Sequence, residues 1–209
     1  MFLPWSEKKL VRRLKARDEQ AFRRMVTLYQ NKVYTLIFRM LGDAQEAEDL
    51  SQDVFITVFR AIDSFRGDAQ FSTWLYRIAV NHAKNRIKYL ARRRSKASQP
   101  IEDVDESRLQ DPSGSRIPAP DKVLLGQELE GVLQRAIAEL DEEHRSLLVL
   151  REIENLSYAE IEAITGLPSG TVKSRLHRAR LQLKDVVERY MNPDLSAQNP
   201  DKQGPAKGS

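Results

Sequence analysis

The chain has 209 residues, 31% charged and 41% hydrophobic, which suits compact helical cores and carries too much charge for one large buried sheet. It has no cysteine, so disulfides, thiolate metal sites and cysteine nucleophiles are excluded. The longest run free of Asp, Glu, Lys and Arg, Ala163–Val172, is about half a membrane span, and Met1–Glu7 lacks the pattern of a secretory signal, so a soluble cytoplasmic protein without membrane insertion is expected.

Charge is unevenly placed. Residues 1–96 carry 20 Lys/Arg against 10 Asp/Glu, residues 97–121 carry 2 against 6, and residues 122–190 carry 10 against 12. A basic front, an acidic connector and a near-neutral back predict separate parts with separate partners.

In chain order, Leu10, Val11 and Leu14 predict a short helix over Glu7–Ala16. Phe22, Met25, Val26, Tyr29, Val33, Leu36, Ile37 and Met40 recur at three- and four-residue steps, the stripe of a longer one. After Gly42, Asp43 is placed as an N-cap with Glu46 as its reciprocal partner, ahead of a buried stripe of Ala47, Leu50, Val54, Val58 and Ala61. The pattern breaks over Asp63–Gln70 around Gly67, and another helix runs from about Ser72 to about Arg94 with Trp74, Leu75, Ile78, Ala79 and His82 inward.

Ala97–Asp121 holds four prolines and six acids without any period, and reads as an extended linker. Beyond it, Val123, Leu129, Val132, Leu133, Ala136, Ile137 and Leu140 predict one helix and Glu142–Arg151 a second. Ser157 and Glu160 form a capping box that opens a short helix to Ile164. Gly166 and Pro168 stop it, and a last helix runs from about Ser169 through Val172, Leu176, Ala179 and Leu183 to near Tyr190. Two helices joined by a tight glycine turn form a helix-turn-helix. The expected fold is all-α: two small helical domains, 1–96 and 122–191, joined by the linker 97–121, with a disordered tail, 192–209.

Three segments carry chemistry. The last helix has Lys173, Arg175, Arg178, Arg180 and Lys184 with no acid between Thr171 and Lys184, suited to a major groove. Ala69–Ile101 has eight cations and no acid, with Phe65, Phe71, Trp74 and Tyr76 at its entrance; aromatic faces for displaced bases and cations for the backbone are the ingredients of single-strand binding. Met40–Phe59 has five acids and no cation, and Glu46, Asp49 and Asp53 share one helical face. These acids serve either the helix dipole or docking to a basic protein surface. No catalytic constellation, phosphate loop, metal spacing or cofactor motif is present, and His82, His144 and His177 read as structural or, for His177, DNA-facing.

Four strings in order resemble the extracytoplasmic-function sigma factors of bacterial RNA polymerase, the branch typified by the envelope-stress factor. They are Asp43-Ala44-Gln45-Glu46-Ala47-Glu48-Asp49-Leu50-Ser51-Gln52-Asp53-Val54-Phe55, Phe65-Arg66-Gly67-Asp68, Phe71-Ser72-Thr73-Trp74-Leu75-Tyr76-Arg77 with Asn81, and Leu156–Ile161 continuing to Gly170–Arg175. The resemblance covers about Leu10–Tyr190 and implies partners: core polymerase through its β′ clamp helices and β flap, promoter DNA as duplex and single strand, and an anti-sigma factor. It implies that Glu46, Asp49, Gln52 and Asp53 bind core. Phe65, Arg66, Phe71, Trp74, Arg77, Asn81 and Lys84 would melt and read the −10 element. Thr171, Lys173, Ser174, Arg175, His177, Arg178 and Arg180 would read the −35 element. The linker would thread toward the polymerase cleft. Many relatives have Arg at the Lys173 position and an aromatic at the His177 position, which bears on the −35 sequence read. The rival, a helix-turn-helix regulator acting without polymerase, accounts for residues 122–190 equally well but not for the acidic face and the aromatic-basic segment before them.

Overall fold

A computed structural model describes residues 6–97 and 121–191; the two ends of the expected linker, Ala97 and Asp121, are helical, and the rest of the linker and the tail lie outside the described residues. The elements are α1 (Glu7–Lys15), α2 (Glu19–Leu41), α3 (Ala44–Ala61), a 3₁₀ turn (Ile62–Ser64), α4 (Phe71–Ala97), α5 (Asp121–Glu139), α6 (Glu142–Leu148), a π turn (Val149–Ile153), α7 (Tyr158–Thr165) and α8 (Ser169–Met191). No strand occurs among the described residues.

Local chemistry sets the helix ends. Ser6, Asp18, Asp43, Asp141 and Ser157 each accept a backbone N–H with a side-chain oxygen, satisfying a donor that the first turn leaves open. Gly42 ends α2 in the left-handed region, φ +78°, and donates to the Phe38 carbonyl at 2.8 Å.

Helices α1–α4 form one bundle. Its core takes Leu10 and Leu14 from α1, Met25, Val33, Leu36, Ile37 and Met40 from α2, and Ala47, Leu50, Val54 and Val58 from α3. Phe71, Leu75 and Ala79 add α4. The sequence stripes therefore face inward, with Phe22, Val26, Tyr29, Trp74, Ile78 and His82 at their half-buried margins. In the second bundle Leu129 and Leu133, expected on the α5 stripe, are exposed, Val132 is half-buried, and Ala136 and Ile137 are buried. The helix expected over Glu142–Arg151 ends at Leu148 and widens into the π turn, where the Glu154 N–H donates to the Val149 carbonyl at 3.1 Å. The extra residue redirects Glu154 toward the first bundle.

The two helical domains pack against each other through one continuous core. The last carbonyls of α2 have no partner within their own helix, and the second domain supplies donors. Arg145 Nη1 donates to the Met40 carbonyl at 2.7 Å, and Nη2 to the Leu140 carbonyl at 2.8 Å. Gln134 Nε2 reaches the Phe38 and Arg39 carbonyls at 3.4 Å each, and its Oε1 accepts from Arg39 Nη1 at 3.0 Å. Arg39 pairs with Glu130, and Lys88 with Glu142 at 3.6 Å. Tyr76, expected among the stacking aromatics, is instead buried in this seam and donates its hydroxyl to Glu154 at 2.8 Å.

Burial raises the Glu154 carboxyl above its ordinary value of 4.5, with the Tyr76 hydrogen bond and the Lys32 ammonium only partly opposing it. The unfolded chain releases this proton first as pH rises, so this group lowers stability from about pH 4.5 upward until the folded carboxyl has also ionised. Glu154→Gln keeps an acceptor for Tyr76 and removes the charge. We expect it to be more stable than the parent at pH 7 and equal to it near pH 4, by denaturant titration at the two pH values. Lower stability of the variant at pH 7 would refute this account.

Candidate nucleic-acid interface

The entrance to α4 is an aromatic cluster. Phe65 and Phe71 stand edge-on at 5.7 Å, and Trp74 lies 5.4 Å from Phe65 and 5.8 Å from Phe71. Phe65 and Phe71 are buried, whereas Trp74 is half-buried. The two phenylalanines therefore form the floor under the indole and offer no open stacking face. The loop before α4 turns at Gly67 in the left-handed region, φ +85°, leaving Arg66 exposed.

Two contacts from α1 fix that loop, and sequence reading does not find them. Lys15 Nζ donates to the Phe65 carbonyl at 2.7 Å, and Glu7 Oε1 accepts from the Phe71 N–H at 2.9 Å, a negative cap at the start of α4. Beyond it Trp74, Arg77, Asn81 and Lys84 follow at three- and four-residue steps and form one stripe. Arg77 and Asn81 are exposed, and Lys84 is half-buried.

On α3 the acids divide. Asp43 caps the helix as expected, but the Glu46 carboxylate turns away from the cap and pairs with Arg86 of α4. Glu46 is thus committed to packing α3 on α4 through a charge-assisted bond, which also raises the Arg86 pKa. Asp49, Gln52 and Asp53 are exposed. Ile56 and Phe59 extend their face and are each 47% exposed, with the Phe59 ring resting against Phe22 at 4.5 Å. Their signal was available: neither belongs to the Ala47–Leu50–Val54–Val58 stripe.

The helix-turn-helix closes as its residues dictate. Ser157 and Glu160 make both bonds of the capping box, which holds the Glu160 carboxyl below its ordinary range. Gly166, at φ +73°, ends α7 and donates to the Glu162 carbonyl at 2.8 Å. Val172, Leu176 and Ala179 bury one side of α8. Lys173, Ser174, His177, Arg178 and Arg180 are exposed, and Thr171 and Arg175 half-buried. Arg175 is paired with Glu143, and Arg180 with Glu152 at 2.6 Å. Lys173 and Arg178 have no carboxylate partner among the described residues. His82 and His144 are internally engaged, with Thr57 at 3.1 Å and Gln182 at 2.8 Å respectively, and only His177 lies on the exposed face. No group of His, Asp or Glu among the described residues is arranged to hold a metal ion, and no described helix is long and apolar enough to cross a membrane.

The family models for Sigma-70 region 2 and Sigma-70, region 4 match residues 25–94 and 130–183. The RNA polymerase sigma-H factor of Pseudomonas aeruginosa is 39% identical over 193 residues, covering 90% of this chain and 95% of its own. The chain belongs to the extracytoplasmic-function (ECF) sigma factors. The ECF RNA polymerase sigma-E factor of Escherichia coli K12 is also 39% identical, over 180 residues covering 86% of this chain and 93% of its own. Among solved structures, CnrH in complex with the cytosolic domain of CnrY aligns with a TM-score of 0.63 at 21% identity, covering 87% of this chain and 97% of that one. The sigma factor RpoE in complex with the anti-sigma factor NepR from Bartonella quintana aligns at 0.59 and 23%, covering 80% and 96%. These two share the fold. Like other sigma factors, the chain binds RNA polymerase and directs promoter-specific initiation, and sigma factors are in general non-enzymatic regulatory subunits.

Glu7 offers a direct test of how the region 2 loop is held. Losing a helix-capping carboxylate costs about 0.5–2 kcal/mol, so Glu7→Ala should speed amide hydrogen exchange locally at Phe71–Leu75. Unchanged exchange there would show that the Phe71 N–H finds water as an equivalent partner.

Proposed function

We propose that each exposed face of this ECF sigma factor serves one step of initiation in the cytoplasm, with no catalytic chemistry of its own. The supporting observation is the separation of charge: an acidic-apolar face on α3, a cationic stripe on α4 and two unneutralised cations on α8. Asp49, Gln52 and Asp53, with Ile56 and Phe59 beside them, dock on the β′ clamp helices. Glu46 supports that face through Arg86 rather than touching core, and region 4 engages the β flap.

Trp74, Arg77, Asn81 and Lys84 take the opened −10 strand, with Arg66 at the loop above and Phe65 and Phe71 as the buried floor. Lys173, Ser174, His177 and Arg178 read the −35 duplex from the first half of α8, with Thr171 at its start. Arg175 and Arg180 join by exchanging their carboxylates for phosphate. Residues 1–96 act as domain 2, 122–191 as domain 4, and 97–121 as the connector. NepR is described as an anti-sigma factor of the RpoE it was captured with, and a protein of that kind fits here as the regulator.

The test is transcription from a promoter-bearing template with bacterial core polymerase. A discrete transcript is expected only with both proteins present, and promoter binding by the isolated chain to which core adds nothing would favour the rival regulator. Asp49→Lys with Asp53→Lys should reduce retention of core about tenfold or more while changing stability by less than about 0.5 kcal/mol. Normal retention would remove the acids from docking.

Two promoter elements about 25 base pairs apart are separated by about 85 Å of duplex at 3.4 Å per pair. A compact body of the described size has a radius of gyration of about 15 Å, so occupying both elements requires the seam to open. The absence of cysteine allows a clean trap. Lys88→Cys and Glu142→Cys, joined by a short reducible bis-maleimide, should abolish promoter-specific transcription, and reductant should restore it. Full activity in the linked form would show that initiation proceeds with the seam closed.

A further inference from the structure

The cations of α8 differ in what stands beside them. Arg175, Arg180 and Lys184 each face a carboxylate, Glu143, Glu152 and Glu188. Lys173 faces a ring: its ammonium lies 5.8 Å from the centre of Tyr158, within reach of a cation–π contact. The Arg151 guanidinium lies 5.0 Å from the same ring. Arg151 is anchored separately, donating to the Leu156 carbonyl at 2.7 Å. Of the two cations on the ring face, Lys173 is therefore the one free to turn toward a ligand; Arg180, which bonds the Tyr158 hydroxyl, is held by Glu152.

The ring itself is fixed. Tyr158 is the first residue of α7, inside the Ser157–Glu160 capping box, and its half-buried body packs against the hydrophobic core. The distinction between a ring and an acid matters for DNA. A carboxylate would restrain the lysine but cancel its charge, whereas an aromatic face restrains it by its quadrupole and leaves the full positive charge for a polyanion. Lysine has one of the largest side-chain entropies to lose, so restraining it before binding lowers the ordering cost at the moment of recognition.

We propose that Tyr158 is a positioning residue for −35 reading: its ring holds Lys173 over the start of α8, oriented and still charged. This rests on the assignment of Lys173 to −35 reading made above. The chain is assembled with core polymerase, and competition binding is measured against a panel of single-base −35 variants. The proteins compared are the parent, Lys173→Met, Tyr158→Phe, Tyr158→Leu and the Tyr158→Leu/Lys173→Met double variant. Lys173→Met should flatten preference at one base pair. Tyr158→Phe, which keeps the ring, should keep that preference. Tyr158→Leu should lower discrimination at the same base pair by about two- to fivefold, the worth of one exposed cation–π contact, and should add nothing in the Lys173→Met background.

Equal loss on every −35 variant, or the same loss from Tyr158→Phe as from Tyr158→Leu, would overturn the positioning role. If Lys173→Met leaves preference intact, the −35 assignment itself fails, which is a separate outcome. A measurement on the unaltered ring guards against a Leu variant that does not fold. The Lys173 ε-methylene protons should be ring-current shifted by NMR in the parent and in Tyr158→Phe, and unshifted resonances would refute the contact.

Discussion

The carboxyl end of α2 needs hydrogen-bond donors that its own helix cannot provide, and it takes them from the other domain. Gln134 and Arg145 bond the Arg39 and Met40 carbonyls, with Gln134 also reaching the Phe38 carbonyl that the Gly42 N–H already serves, and this junction sets where α5 and α6 lie. From that placement follow the meeting of Tyr76 with Glu154 and the packing of α7 on α4. The junction is polar, and it is not fully satisfied. Arg39 Nε and Arg145 Nε are buried with no hydrogen-bond partner among the described residues. An unmet buried donor costs about 1–3 kcal/mol. Together with a carboxyl whose ionisation burial opposes, this makes a seam that holds the resting chain compact without sealing it.

Within each domain the charges are allotted rather than scattered. Arg86 holds α3 against α4 through Glu46, Arg175 ties α8 to α6 through Glu143, and Arg180 ties α8 to Glu152 in the π turn. Exposed pairs of this kind contribute about 0–1 kcal/mol each, so their main effect is to orient helices and quench local charge. Arg77 on α4 and Lys173 and Arg178 on α8, on the faces assigned to DNA, are among the cations that have no carboxylate partner among the described residues. Sequence counting treats all of these cations alike, and packing separates them.

Much of this protein was legible from the chain itself. Hydrophobic steps of three and four placed the helices, and Asp43, Ser157 and Gly166 marked their ends, because a cap acts on atoms within four residues of itself. The helix-turn-helix and the faces bearing Asp49, Asn81, Lys173 and Arg178 follow from the same local periodicity. Only the tertiary structure decided the burial of Phe65 and Phe71, the capping of α4 by Glu7 and the diversion of Glu46 to Arg86. It also decided the loss of Tyr76 to the seam and the seating of Lys173 on Tyr158. Each of these joins residues on different elements, most of them dozens of positions apart. A helix's hydrogen-bond ladder constrains neighbours one turn away, and it carries no information about which distant side chain will meet an open donor, an unpaired charge or an aromatic face.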